Sequence, residues 1–197
     1  MRGTVVGVRD VTGAGGETPV GVVGVRAAYP GDVAAVAEIQ VRAWREGYRG
    51  VIPDAALAEM TGPEAAALWR ERWAEAIAAP PSPRHRLLVA VDEGVITGFA
   101  AHAPADDADQ DPQTTGELLT LLVDPAHGRS GHGSRLLAAT VDHLREDGCA
   151  TAVTWVFAAD DTLRGFLTSA GWAPDGAHSK VDMGQPVAMV RLHTALA

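Results

Sequence analysis

Gly128, Gly131 and Gly133 fall within six positions, directly after the run Leu121-Leu122-Val123-Asp124-Pro125 and directly before the amphipathic segment that starts at Arg135. Glycines in such a place let the main chain turn so that several N–H groups point one way, and a helix start adds roughly half a positive charge. Together they make a nest for an anion, suited to phosphates. Spacing separates the possible guests. A P-loop needs G-x-x-x-x-G-K-[ST]; Gly128 and Gly133 have the glycine spacing, but Ser134 and Arg135 follow where lysine and Ser/Thr contact phosphate and metal. A dinucleotide fingerprint needs G-x-G-x-x-G; Gly131 and Gly133 fit, yet position 136 is leucine. Both patterns fail on a residue that does chemistry.

A second cluster is acidic. Asp107, Asp109 and Asp111 occupy positions 1, 3 and 5 of a calcium loop, but Pro112 stands where glycine is needed and Leu118 where glutamate is needed. No metal is expected there. The segment reads as a solvated acidic loop, with attraction of a cationic molecule as the alternative. Trp44 and Tyr48 share a helix face at a spacing that lets them touch, and Trp69 and Trp73 repeat it. The single cysteine, Cys149, cannot form an intramolecular disulfide and reads as a buried, inert thiol, in keeping with a reducing cytoplasm.

These groups must be positioned by a recognisable order of elements. Residues 1–19 end in "TGAGGETP" and read as an arm or linker, leaving 20–197 as one domain. "VGVVGVRAA" alternates as a strand. "GDVAAVAEIQVRAWREGY" then takes helical spacing, with Asp32 as the expected N-cap. "PDAALAEM" is a short helix, and Thr61 and Glu64 have capping-box spacing at the start of a longer one that Pro80 and Pro81 end. "RLLVAVDEGVITGFAAH" reads as a hairpin, "ELLTLLV" and "TAVTWVF" as strands on either side of the glycine-led helix, and "DDTLRGFLTSAG" as a short helix. A terminal hairpin turns around "VDMGQ". Strand pairs followed by a strand–helix–strand unit predict an α/β (α+β) fold, a mixed sheet with helices packed on it.

Composition narrows the partners. The 197 residues carry a formal charge of −9, which argues against a nucleic-acid binder and is compatible with cationic substrates, amines among them. The longest apolar runs stop short of the ~18 residues of a membrane span, and no secretory signal is expected.

With the rivals set aside, the pattern left is [QR]-x-x-G-x-[GA] just after V-x-P. In this respect the run resembles the acyl-CoA loop of the GNAT superfamily of N-acetyltransferases: Val123-Asp124-Pro125 matches the end of that family's fourth strand, Gly131-His132-Gly133-Ser134 its G-x-G-[SA] core, and "RLLAATVDHL" the helix that follows. "DVAAVAEIQVRAWREGYRGVIP" is similar to the family's first two helices and "GFLTSAGW" to its late short helix, so the likeness spans residues 20–193. Gly128 departs from it, standing in the Gln/Arg position beside Arg129. The resemblance implies a central, mixed and mostly antiparallel sheet of six to seven strands flanked by helices on both faces.

It also implies acetyl-CoA as co-substrate, with the diphosphate on the amides of Arg129, Ser130, Gly131, His132, Gly133 and Ser134 and the pantetheine arm beside Leu121, Leu122 and Val123. Arg129 and Arg135 add charge against phosphates or stay solvated. Acetyl transfer to an amine needs a neutral nucleophile, a donor for the oxyanion and a proton for the leaving thiolate. The expected oxyanion donor is the backbone near Leu122, where the family's strand bulges. Glu117 is the candidate base, acting through water; its alternative is a solvent-facing carboxylate. The family's acid tyrosine is Leu167 here, and its cofactor-holding asparagine is Asp160. Trp44 and Tyr48 are expected either along the acceptor pocket or in the core, and His178 and Asp182 at the acceptor side. The activity expected is acetylation of a primary amine on a small molecule or peptide by direct attack on the thioester, in the cytoplasm, with no nucleic acid or membrane partner. Leu167 and Asp160 motivate the rival, a non-catalytic acyl-CoA-binding regulatory module. Dimers are frequent in the family, so a homodimer is the alternative to a monomer.

Overall fold

The structure is a computed structural model and describes residues 23–196. The arm expected at 1–19 and its boundary at 19/20 lie outside the described residues. The described elements are β1 (Gly24–Ala27), α1 (Val33–Gly47), α2 (Asp54–Thr61), α3 (Pro63–Ala78), β2 (Arg86–Asp92), β3 (Val95–Pro104), β4 (Thr115–Val123), α4 (His132–Glu146), β5 (Thr151–Phe157), α5 (Asp161–Ser169), β6 (Ala173–Asp182) and β7 (Pro186–Ala195). The strands form one seven-stranded sheet in the order β1-β2-β3-β4-β5-β7-β6. Every neighbouring pair is antiparallel except β4–β5. This is the mixed sheet with helices on both faces that the sequence predicts.

Two apolar layers hold it together. On one face Leu136, Leu137 and Leu144 of α4 and Leu167 of α5 pack against Leu118, Leu121, Ala152 and Val156. On the other, Val36 and Ile39 of α1 and Trp73 of α3 pack against Val89, Phe99 and Leu122. Period-two alternation along β4 sends Leu121 to one layer and Leu122 to the other.

Two expected caps take a different form. The Asp32 carboxylate does not cap α1; it accepts from the Tyr29 N–H at 2.9 Å and from both Nη atoms of Arg26 at 2.6 and 2.9 Å, closing the 3-10 turn Pro30–Asp32. The capping box at Thr61 is absent because Thr61 still belongs to α2, where its hydroxyl donates to the Leu57 carbonyl at 2.7 Å, and Gly62 takes the N-cap of α3. A two-helix corner compressed into one residue leaves no extended position for the threonine.

His102, in mid-β3, is 1% exposed, and burial first, then the neighbouring His143 and Arg86, lowers its imidazole to about 4. The unfolded chain therefore takes up a proton below the ordinary histidine value that the folded chain refuses. Stability is expected to fall as the pH drops from about 6.5 towards 4, by about 3 kcal/mol across that window. Denaturant unfolding of the wild type and of His102→Gln at several pH values checks this: the variant's stability should depend less steeply on pH between these limits.

Candidate active site

The glycine loop folds as a nest. Arg129 and Gly131 both take left-handed backbone, with φ of 62° and 79°. Gly131 is the N-cap of α4, no side chain caps that helix, and the first intrahelical bond runs from Arg135 N to Gly131 O at 3.1 Å. The amides of the first turn, His132 to Ser134, are thus left for an external acceptor at the positive end of a 15-residue helix. Arg135 turns back and donates to the Ser130 carbonyl at 3.0 Å, bracing the loop. The His132 ring is buried, with Nε2 3.6 Å from an Asp92 oxygen at the end of β2, so the side chain of this loop residue is directed into the protein.

Beside the nest, β4 leaves its neighbour. Its pairing with β5 covers only Thr115–Glu117 against Thr151–Val153. At Leu118 the carbonyl already accepts from the Thr154 hydroxyl at 2.7 Å. Beyond that point a slot of about 50 Å³ separates Leu118–Leu121 from Thr154–Phe157. The slot adjoins a cavity of about 890 Å³ lined by Leu121, Leu122 and Val123, by loop residues Gly128, Arg129 and Gly131–Ser134, by Glu46, Gly47 and Tyr48, and by Asp160, Leu163 and Phe166.

The register decides which β4 amides face this opening. Asp124 N donates to Thr97 O at 2.8 Å, and the pairing Phe99–Leu122 follows two residues along. Hydrogen-bonded pairs alternate in an antiparallel ladder, so the Leu122 N–H is directed to Phe99 on β3, while those of Leu121 and Val123 face the gap. The register shift lies at Leu119, between the pairs Ala101–Thr120 and His102–Leu118. This corrects the placement of a bulge and a free N–H at Leu122: the bulge falls three residues earlier, and the open amides are its neighbours'. Arg42 of α1 fixes the end of the strand, with Nη2 2.7 Å from the buried Asp124 carboxylate.

Glu117 sits half-buried where the β4–β5 pairing ends. Burial first, then the charge of Asp107, pushes its carboxyl up to about 7. Tyr48 lines both slot and cavity, stacking tilted on Trp44 (centroids 5.3 Å apart) and edge-on to Phe157 (5.1 Å); burial, then Asp160, raises its phenol above the ordinary value. Trp44 packs against Trp69 and does not line the cavity. Asp160 lines the cavity, but one of its oxygens is taken by the Leu163 N–H at 2.9 Å, the cap of α5. Leu167 is fully buried in the core behind α5, and Phe166 presents to the cavity instead. His178 and Asp182 lie exposed on β6, the outermost strand, and border neither opening.

The acidic loop is not a free, solvated one. Arg191 of β7, with its side chain 5% exposed, donates to Asp107 at 2.8 Å, to both oxygens of Asp109 at 2.7 and 2.5 Å, and through Nε to Asp175 at 2.6 Å. Trp155 Nε1 donates to the same Asp107 at 3.0 Å. A lone arginine in the apolar strand "PVAMVRLH" was the available signal, since a charge in such a strand needs partners. Among the described residues no group of three or more His, Cys, Asp or Glu side chains could hold a metal. Nor is any helix among them long and apolar enough to cross a membrane.

An anion nest on a helix start, an adjoining splayed strand edge and a cavity of ligand size form a cleft on a mixed α/β sheet that suits an elongated, anionic ligand. Comparison with known proteins gives the class a family. The chain belongs to the acetyltransferase (GNAT) family, whose model matches residues 54–172. It is similar to the uncharacterised N-acetyltransferase YuaI of Bacillus subtilis (strain 168), 27% identical over 140 residues that cover 71% of this chain and 74% of the relative. Among solved structures, the PaiA N-acetyltransferase of Thermoplasma acidophilum in complex with coenzyme A shares the fold with a TM-score of 0.67 at 17% identity, covering 88% of this chain and 99% of that one. YncA of Salmonella typhimurium with its cofactor acetyl-CoA gives 0.62 at 22% identity, covering 89% and 94%.

Proposed function

We propose that the protein transfers an acetyl group from acetyl-CoA to a primary amine on a small molecule or peptide, by direct attack of the amine. The single observation that carries this reading is the row of unpaired amides running from the first turn of α4 to the open edge of β4. The His132–Ser134 amides suit a diphosphate, and the Leu121 and Val123 main chain suits the amides of a pantetheine arm. The solved relatives that hold coenzyme A or acetyl-CoA support the same guest. Acetyl-CoA supplies the activated acetyl thioester.

The chain's own groups do the rest. The Leu121 N–H, aimed into the gap, serves as donor to the developing oxyanion. Glu117, poised near neutrality, takes the ammonium proton through water, so that the amine arrives as a nucleophile. Tyr48 offers an O–H to the slot and the cavity, where the Leu167 position contributes only packing. Asp106 and Asp107 near Glu117 suit a substrate that arrives as a cation. The single thiol, buried Cys149, fits a reducing cytoplasm.

Release of free thiol from acetyl-CoA, measured with a panel of primary amines, tests the proposal. Amine-dependent release is expected, rising with pH to a plateau above about 7 as Glu117 ionises. Tight coenzyme A binding with no amine-dependent thiol would favour a regulatory acyl-CoA-binding module. No binding at all would overturn both readings.

A further inference from the structure

We propose that Arg191 and Asp107 are positioning residues for Glu117: Arg191 clamps the 105–114 loop to the sheet, and the clamp holds the Asp107 carboxylate beside Glu117. The inference rests on the reading of Glu117 as base only for its catalytic consequence.

The geometry is a short relay across three strands. Glu117 on β4 pairs with Val153 on β5, and Trp155, two residues further on, shares that face and pairs with Arg191 on β7. The Arg191 guanidinium lies over the Trp155 ring, 5.5 Å from its centroid. Asp107 bridges the two, accepting from Trp155 Nε1 and Arg191 Nη1. Asp109 takes one N–H of each Nη of Arg191 and Asp175 takes that of Nε, so four of the five guanidinium donors are engaged within this cluster. Three carboxylates meet one cation, which leaves the cluster net negative.

The other charged groups around Glu117 are accounted for. The Asp106 backbone and side chain approach it from the same loop. His193 of β7 pairs with Val153 and is exposed. From α1, Arg42 is engaged by Asp124 and Arg45 by the Thr61 carbonyl at 2.6 Å. Arg191 itself acts on Glu117 in two opposed ways: its own charge favours the carboxylate, while its clamp sets Asp107, which disfavours it.

The test follows the Glu117 carboxyl carbon by NMR titration of the whole free protein, in the wild type, Asp107→Asn, Arg191→Gln and the double variant. Asp107→Asn should lower the Glu117 midpoint by about 0.5–1 on the pH scale, as expected on losing a nearby like charge. In the Arg191→Gln background, where the loop is released, Asp107→Asn should move the midpoint much less than it does in the wild type, whatever the loss of the Arg191 charge itself does to the starting value. An unmoved or raised midpoint in Asp107→Asn overturns the inference, and so does an equal effect of Asp107→Asn with and without Arg191. Should Arg191→Gln fail to fold, Asp107→Asn decides alone. The pH profile of kcat/KM for the same proteins separates the two proposals. If the acid limb does not follow a midpoint that moves, the positioning stands and the base reading falls.

Discussion

Glu117→Gln is expected to lower kcat by about 10²–10³-fold while coenzyme A binds as before, because the variant keeps the shape of the site and loses the proton acceptor. Its pH profile should flatten, since the group that must ionise near 7 is gone. Stability should move the other way. A carboxyl held above its unfolded value keeps a proton that the unfolded chain has already released, so its contribution is present below the unfolded value and is lost as pH rises through about 7. At pH 8 the wild type carries a half-buried charge that glutamine lacks. Glu117→Gln is therefore expected to be more stable there by about 1 kcal/mol, a figure reduced to allow for partial solvent screening. Steady-state kinetics together with denaturant melts at pH 5 and pH 8 check this. An inactive but stabilised variant supports the role; an inactive, destabilised one points to damage instead.

Gly133→Glu should abolish cofactor binding without unfolding the protein. A Cβ at Gly133 would meet Phe166, Val123 and Leu121 at 3.6–3.7 Å, ordinary contact distances, so α4 accepts a side chain there. All three neighbours line the cavity, and a longer side chain runs into it with a carboxylate beside the amides of the nest. Exclusion plus like-charge repulsion against a diphosphate should weaken coenzyme A by at least about 100-fold, ~3 kcal/mol. Gly133→Ala, with only the methyl, should bind within a few-fold of the wild type. Calorimetric titration with coenzyme A separates the two. Gly131 is a different case, because at φ 79° any side chain strains the backbone before it meets the ligand.

The contrast between these glycines shows what the sequence could carry. The nest was legible because its determinants are local: glycines at fixed spacing, a proline before them and helical periodicity after them. The order of strands and helices was legible for the same reason. What depended on register was not. No composition rule says that β4 shifts at Leu119, yet that shift decides whether Leu121 or Leu122 presents its amide to the gap. The acidic loop misled for a related reason. Asp107 and Asp109 look solvated until Arg191, more than 80 positions away in the chain, is folded across the sheet to meet them. His178 and Asp182 were drawn to the site by analogy, and the strand order instead carries them to the outer edge.

The account turns on where the diphosphate and the pantetheine arm lie. A crystal structure of the protein soaked with acetyl-CoA measures this directly. The diphosphate should accept from the first-turn amides of α4, His132 to Ser134, and the arm should bond to the main chain of Leu121 and Val123 with its thioester near Glu117. A cofactor seated elsewhere, or held by Leu122 with the Leu121 amide turned to β3, would contradict it.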